Sequence, residues 1–124
     1  MPAPSLTREH QRLATLRELG ILDTPPEPAF DDLTELARTL LGVPMAMVSL
    51  VDADRQWFKS AVGTELTGSP REHAFCAHAI AGSGPMVVPD ARIDPRFADN
   101  PLVTGAMQAR FYAGVPLMVG GLPM

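Results

Sequence analysis

The stretch VPMAMVSLVDADRQWFKSAVG, residues Val43–Gly63, decides the fold. Met45 to Val51 is a nearly unbroken apolar run, of strand length and too short for a helix. Such a run suits a strand covered on both faces, which predicts a central position in its sheet. Asp52-Ala53-Asp54 is a turn cluster. Gln56 to Val62 then alternates imperfectly and mixes aromatic with polar residues, as suits a strand nearer an edge. The reading is a β-hairpin. Side chains alternate across a strand, so Met45, Met47, Ser49 and Val51 share one side, and Ala46, Val48 and Leu50 the other. Ser49 is the lone polar residue in the first run and needs a partner if buried, either nearby backbone or a group in a pocket.

Upstream, Phe30, Leu33, Leu36, Ala37, Leu40 and Leu41 form one apolar stripe of a helix, with Asp31, Asp32, Glu35 and Arg38 facing away. The breadth of the stripe predicts a helix that covers the sheet, its acidic residues forming a solvated face. Gly42 stops it and Pro44 forbids a restart. Its start is open: Thr24-Pro25-Pro26-Glu27 has the form of a cap and first turn, while an extended Pro25-Pro26 would move the start towards Pro28. Before it, Thr7 to Leu19 is helical, with Leu13, Leu16 and Leu19 as a narrow seam and Gly20 placed to end it. That seam fits packing on its own domain or pairing with a second copy. Residues 1–6 read as a loose tail.

Downstream, Arg71 to Ala81 reads as a short helix, and Met86 to Pro89 as an edge strand ended by proline. Asp94-Pro95 opens a short helix to Asp99, which Asn100-Pro101 terminates, and Leu102 to Gln108 is loop. Arg110 to Val119 is a strand bent at Pro116. Gly120-Gly121 is a tight turn into Leu122-Pro123-Met124, the start of a partner strand.

The chain has 124 residues, of which 46% are hydrophobic, enough for a core and one domain at most. The formal net charge is −4 and Lys59 is the only lysine among scattered arginines, a poor footprint for nucleic acid or an anionic membrane. No apolar run approaches a membrane span, and no basic and apolar N-terminal segment marks a secretory signal. The single cysteine, Cys76, excludes an internal disulfide framework and fits a reducing compartment, so a cytoplasmic location is expected.

The words LGILDTPPEPAFDDLTELARTLLGVPMAMVSLVDADRQWFKSAVG, PREHAFCAHAI, VVPDARIDPRFADNPLV and RFYAGVPL, in that order and spacing, resemble a GAF domain. The resemblance is to the bacterial signalling type found N-terminal in sensor histidine kinases and diguanylate cyclases. It implies an α+β fold: an antiparallel sheet with long helices on one face, and short helices and loops closing a small-molecule pocket on the other. It implies one domain over residues 7–124, incomplete at its C-terminal end, where such a domain adds a strand beside the first hairpin strand and then a helix. It further implies a non-catalytic regulatory role that passes ligand or dimer state to an output domain.

Cys76, Asp90, Asn100 and Tyr112 sit on the elements that close the family's pocket, and with Ser49 they are the candidate ligand-binding residues. Each has a plain structural alternative: a packed thiol for Cys76, a turn for Asp90, a helix end for Asn100. Arg71 and Arg110 could pair an anionic ligand or simply be solvated. His73 shares a helical face with Cys76, and His78 lies opposite; two side chains are too few for a zinc site. No cofactor is expected. Bilin attachment departs from the family pattern because Ala77 separates Cys76 from His78. Methionine sulfoxide reduction, as in some small relatives, needs a second thiol to resolve the first. The Asn-Lys-Phe-Asp-Glu set of cyclic-nucleotide GAF domains is not found. The readings carried forward are a small-molecule sensor, a homodimerising interaction module without ligand, and a Cys76-dependent enzyme.

Overall fold

The computed structural model describes residues 8–82 and 84–124; the predicted tail, residues 1–6, lies outside them. Helix α1 (Glu9–Leu19) and helix α2 (Pro28–Leu41) come first. Gly20 and Gly42 end them in the left-handed conformation, with φ of 63° and 62°. Pro28 occupies the first turn of α2, so the later of the two predicted starts is the real one. Thr24 does not cap. Its hydroxyl bonds Ile21 O and accepts from Lys59 Nζ.

The hairpin forms as read: β1 (Ala46–Val51) pairs antiparallel with β2 (Arg55–Val62). The register slips between Val48 and Ser49, where Val48 faces Ser60 but Ser49 faces Phe58. Lys59 is the extra residue of a bulge, so Lys59 and Ser60 both turn to the side that carries Leu50. The imperfect alternation of Gln56–Val62 was the trace of this bulge. A third strand, β3 (Gly68–Pro70), pairs with Arg55–Trp57, where the sequence suggested loop. Edge and centre are therefore exchanged relative to expectation. The sheet order is β1-β2-β3, which makes β2 central and leaves β1 at an edge. The outer side of β1 makes one contact of ladder type, Val51 N–H to Met124 O at 2.9 Å.

The predicted helix Arg71–Ala81 is broken. A 3₁₀ turn covers Arg71–His73, Ala74 is extended, and α3 (Phe75–Ala79) follows. The Asn100 amide donates to His73 O at 3.0 Å, which withdraws that carbonyl from the helical ladder. Next come β4 (Met86–Val88), a run of turns over residues 91–99 in place of the expected helix, and α4 (Pro101–Thr104) in place of loop. Then β5 (Tyr112–Gly114), β6 (Met118–Val119) and β7 (Leu122–Pro123) complete the order. Pairs β4-β5 and β6-β7 are separate from the three-stranded sheet, so the expected single sheet is three pieces among the described residues. Gly120 and Gly121, with φ of 58° and 78°, make the β6–β7 turn.

Helix α1 packs on its own domain, one of the two readings its seam allowed, whereas α2 does the reverse of what its stripe suggested. Leu16 of α1 is fully buried with Leu50, Leu122 and Met124. The α2 stripe instead faces solvent: Leu33, Leu36 and Leu40 are 56%, 53% and 74% exposed. Thr34 is the buried residue of α2. The bulge explains this. Ser60, turned towards α2, donates to Asp31 Oδ1 at 2.6 Å and meets Thr34 Oγ1 at 2.9 Å, so α2 seats its polar side on the sheet. Asp31 thus faces inward, not away. Lys59 completes the polar seat by donating to Pro25 O and pairing with Glu27, both at 2.6 Å.

Candidate functional site

Strands β1 and β5 and helix α3 contribute one side chain each to a hydrogen-bonded trio. Val51 and Ser49 lie on the β1 side away from α1, and Val51 packs with Ala74, Ala77 and Ile80 of the α3 segment. That packing brings Ser49 under α3, where its hydroxyl donates to Cys76 Sγ at 3.0 Å. The Tyr112 hydroxyl reaches the same sulfur from β5 at 3.2 Å. Gly114 makes this reach possible. A Cβ there would lie 2.2 Å from the Tyr112 hydroxyl, so the phenol lies back across a position that only glycine leaves open. Tyr112 also packs on Phe75 at 5.3 Å, and Phe75 stacks on Phe97 at 4.2 Å. These rings, with Val88, Ala91 and Val103, form the apolar wall behind the trio.

Burial pushes the Cys76 thiol up, against the opposing hydrogen bonds from Ser49 and Tyr112. Burial also raises the Tyr112 hydroxyl, with the neighbouring Cys76 adding to it. Both groups are therefore neutral at pH 7, and the thiol lacks the thiolate character that nucleophilic or redox chemistry requires. The trio offers hydroxyl and thiol donors and acceptors beside aromatic surface, which is recognition chemistry.

The other candidates go elsewhere. Asp90 holds a turn: it accepts from Arg92 N–H at 3.0 Å and pairs with the Arg92 guanidinium at 2.7 Å. Those hydrogen bonds hold its carboxyl well below the usual range, to about 2. Asn100 is buried and caps α4, accepting from Leu102 N–H at 2.9 Å while its amide holds His73 O. It begins a helix rather than ending one. Arg110 bonds the carbonyls of Val103 and Ala109. His73 stands in the 3₁₀ turn, off the helix that carries Cys76, and His78 packs edge-on against Phe97 at 4.7 Å. Among the described residues no group of His, Cys, Asp and Glu is arranged to hold a metal ion.

Arg71 belongs to a network that the sequence did not reveal. It donates to Glu9 at 2.6 Å and to Asp52 O at 3.0 Å, tying the start of the Cys76 segment to α1 and to the hairpin turn. Glu9 is shared with Arg12, whose side chain is buried and bonds it at 2.9 Å through both Nε and Nη2. A concavity of about 390 Å³ lies apart from the trio, between α2, β2 and the 64–67 loop. Asp31, Thr34, Glu35, Lys59 and Ser60 are among its lining.

The family profile described as GAF domain matches residues 25–123. A protein of Pseudomonas aeruginosa named cyclic di-GMP phosphodiesterase is 42% identical over 109 residues, which is 88% of this chain and 19% of the relative. The chain thus spans about a fifth of the length of that curated relative. No helix among the described residues is long and apolar enough to cross a membrane.

Proposed function

The chain belongs to the GAF domain family, and on that premise we propose that it is the small-molecule-sensing, non-catalytic regulatory domain of a bacterial signalling protein. The observation that carries this reading is the convergence of Ser49, Cys76 and Tyr112 on one sulfur. Three elements that share no backbone ladder meet there through side chains alone. A compact ligand with hydrogen-bonding groups and a flat face would replace those bonds and use the ring wall. Doing so would shift α3 and the β4-β5 pair relative to the hairpin. Arg71 offers the way out, since it joins the same segment to Glu9 of α1. The raised thiol speaks against the enzyme reading.

The output domain lies outside these residues in this reading. The name of the relative favours cyclic-dinucleotide turnover over a histidine kinase as that output. A cytoplasmic location follows from the same role.

Native mass spectrometry of the chain purified from a bacterial host tests the proposal. A small molecule retained by the wild type, and lost from Tyr112→Phe and Gly114→Ala, is the expected result. Gly114→Ala acts by driving the Tyr112 hydroxyl off Cys76, with the backbone left in place. A bare wild-type mass, with no thermal shift against panels of nucleobases, amino acids and carboxylates, would overturn it.

A further inference from the structure

Gln56 is a buried side chain with half of its amide unused. It stands on β2 and is 5% exposed, and its Oε1 has no hydrogen-bond partner. Its surroundings are built on both sides by strands of this chain, since Gln56 lies opposite Val51 of β1 and Ser69 of β3. Ser69 fixes the orientation of the amide. Its hydroxyl donates to Pro70 O at 3.3 Å and so accepts from Gln56 Nε2 at 3.2 Å. With the nitrogen held towards β3, the other prong of the planar amide turns back towards β1 and the α3 segment. A buried acceptor without a donor lowers the stability of a fold, so a position that keeps one calls for a reason beyond packing.

The place of Gln56 in the sheet supplies that reason. Residues opposite each other in an antiparallel pair share a face, so Gln56 lies on the face that carries Val51 and Ser49. Ser49 faces Phe58 across the pair, which makes Gln56 its diagonal neighbour, about 7–8 Å away. Val51, directly opposite Gln56, packs with Ala74, Ala77 and Ile80, the segment that also carries Cys76. The unused oxygen and the trio of Ser49, Cys76 and Tyr112 thus share one floor and one cover. Amide, hydroxyl, thiol and phenol are all uncharged there. An ionic group placed among them would be buried without a counter-charge, which favours a neutral ligand.

We infer that Gln56 is a specificity-determining residue of the sensing site, and that the site takes a neutral, flat amide or lactam. This rests on the sensing role proposed above. The ligand N–H donates to Gln56 Oε1. Its carbonyl accepts from the Ser49 or Tyr112 hydroxyl, released from the Cys76 sulfur. One amide group with a hydrogen bond at each end bridges a gap of that size. Its flat body lies against the apolar wall of Phe75 and its neighbours. A compound of the same shape without the N–H leaves Oε1 unpaired and is rejected.

Thermal melting of the full chain tests this. The probes are benzamide and 2-pyridone. The controls are N,N-dimethylbenzamide and N-methyl-2-pyridone, which keep the ring and the carbonyl but lack the N–H. At millimolar concentration the probes should raise the wild-type midpoint by about 2 °C or more, and the controls should not. Gln56→Met has a similar volume and no unpaired oxygen. Without any probe it should melt about 2 °C or more above wild type, and it should respond to neither probe. A Gln56→Met chain that melts below wild type, or fails to fold, means that the amide serves the fold alone and overturns the inference. So does a probe response that survives Gln56→Met, or a wild type that responds equally to probes and controls; these two results leave the sensing role standing. A wild type that responds to none of the four compounds also overturns the inference, and a bare mass in native mass spectrometry then removes the sensing role with it.

Discussion

Helices α1 and α2 each carry a row of leucines, and they use them in opposite ways. In α1 the middle leucine, Leu16, is fully buried against Leu50, Leu122 and Met124, while Leu19 at the end is 39% exposed. In α2 the whole row is exposed, and the helix rests on the sheet through Thr34, Asp31 and Phe30. The sequences point the other way, since α2 has by far the stronger apolar stripe. The difference shows that an amphipathic stripe reports where a helix could bury apolar surface, and the sheet beneath decides whether it does. Under α1 the sheet presents Leu50 and Trp57. Under α2 it presents Lys59 and Ser60, because a bulge turns two consecutive polar residues to that side. A helix over hydroxyl and ammonium groups must offer them partners, since each buried polar group left unpaired costs about 1–3 kcal/mol.

The sharpest way to break this comparison is Leu16→Ala. Truncation at a fully buried site should lower unfolding stability by about 2–5 kcal/mol, read from urea denaturation. A loss under 1 kcal/mol would mean that α1 is no better anchored than α2, and the contrast would fail.

The hairpin, the glycine stops of both helices and the Gly-Gly turn were legible because each is a local matter of strand-length apolar runs and positive φ. Ser49, Cys76 and Tyr112 were legible as a lone polar residue, a lone cysteine and a tyrosine on elements that the family brings together. What was not legible depends on partners far along the chain. The bulge at Lys59 is held by Thr24 and Pro25, more than thirty residues away in sequence. The break at Ala74 depends on Asn100 holding His73 O. Asp90 holds the turn that was its structural alternative, and Asn100 caps the start of a helix where the sequence suggested a helix end. Gly114 was passed over because its role, leaving room for the Tyr112 phenol, belongs to the folded arrangement and not to its local backbone.

Acid should sharpen the comparison next, because α1 is also held by charge. Glu9 serves Arg12 and Arg71, and the hydrogen bond from Arg12 above all holds its carboxyl well below the ordinary 4.5, to about 2. A folded-state value below the unfolded one means that the unfolded chain binds the proton more readily. This contribution is therefore complete above pH 4.5 and is lost as pH falls towards 2. Denaturation midpoints of the wild type should drop across that window, and Glu9→Gln should flatten the drop. Equal slopes for the two proteins would remove Glu9 from the account. Glu9→Gln should also lower stability at pH 7, because Arg12 stays buried without its carboxylate.

The smallest effect is the one that bears most directly on α2. Leu33→Ala removes the same atoms as Leu16→Ala, from a residue 56% exposed. Measured on a dilute chain, where self-association contributes nothing, it should change stability by no more than about 0.5 kcal/mol. A cost above about 2 kcal/mol in the dilute chain, the range of a buried leucine, would mean that α2 packs its leucine row inward after all.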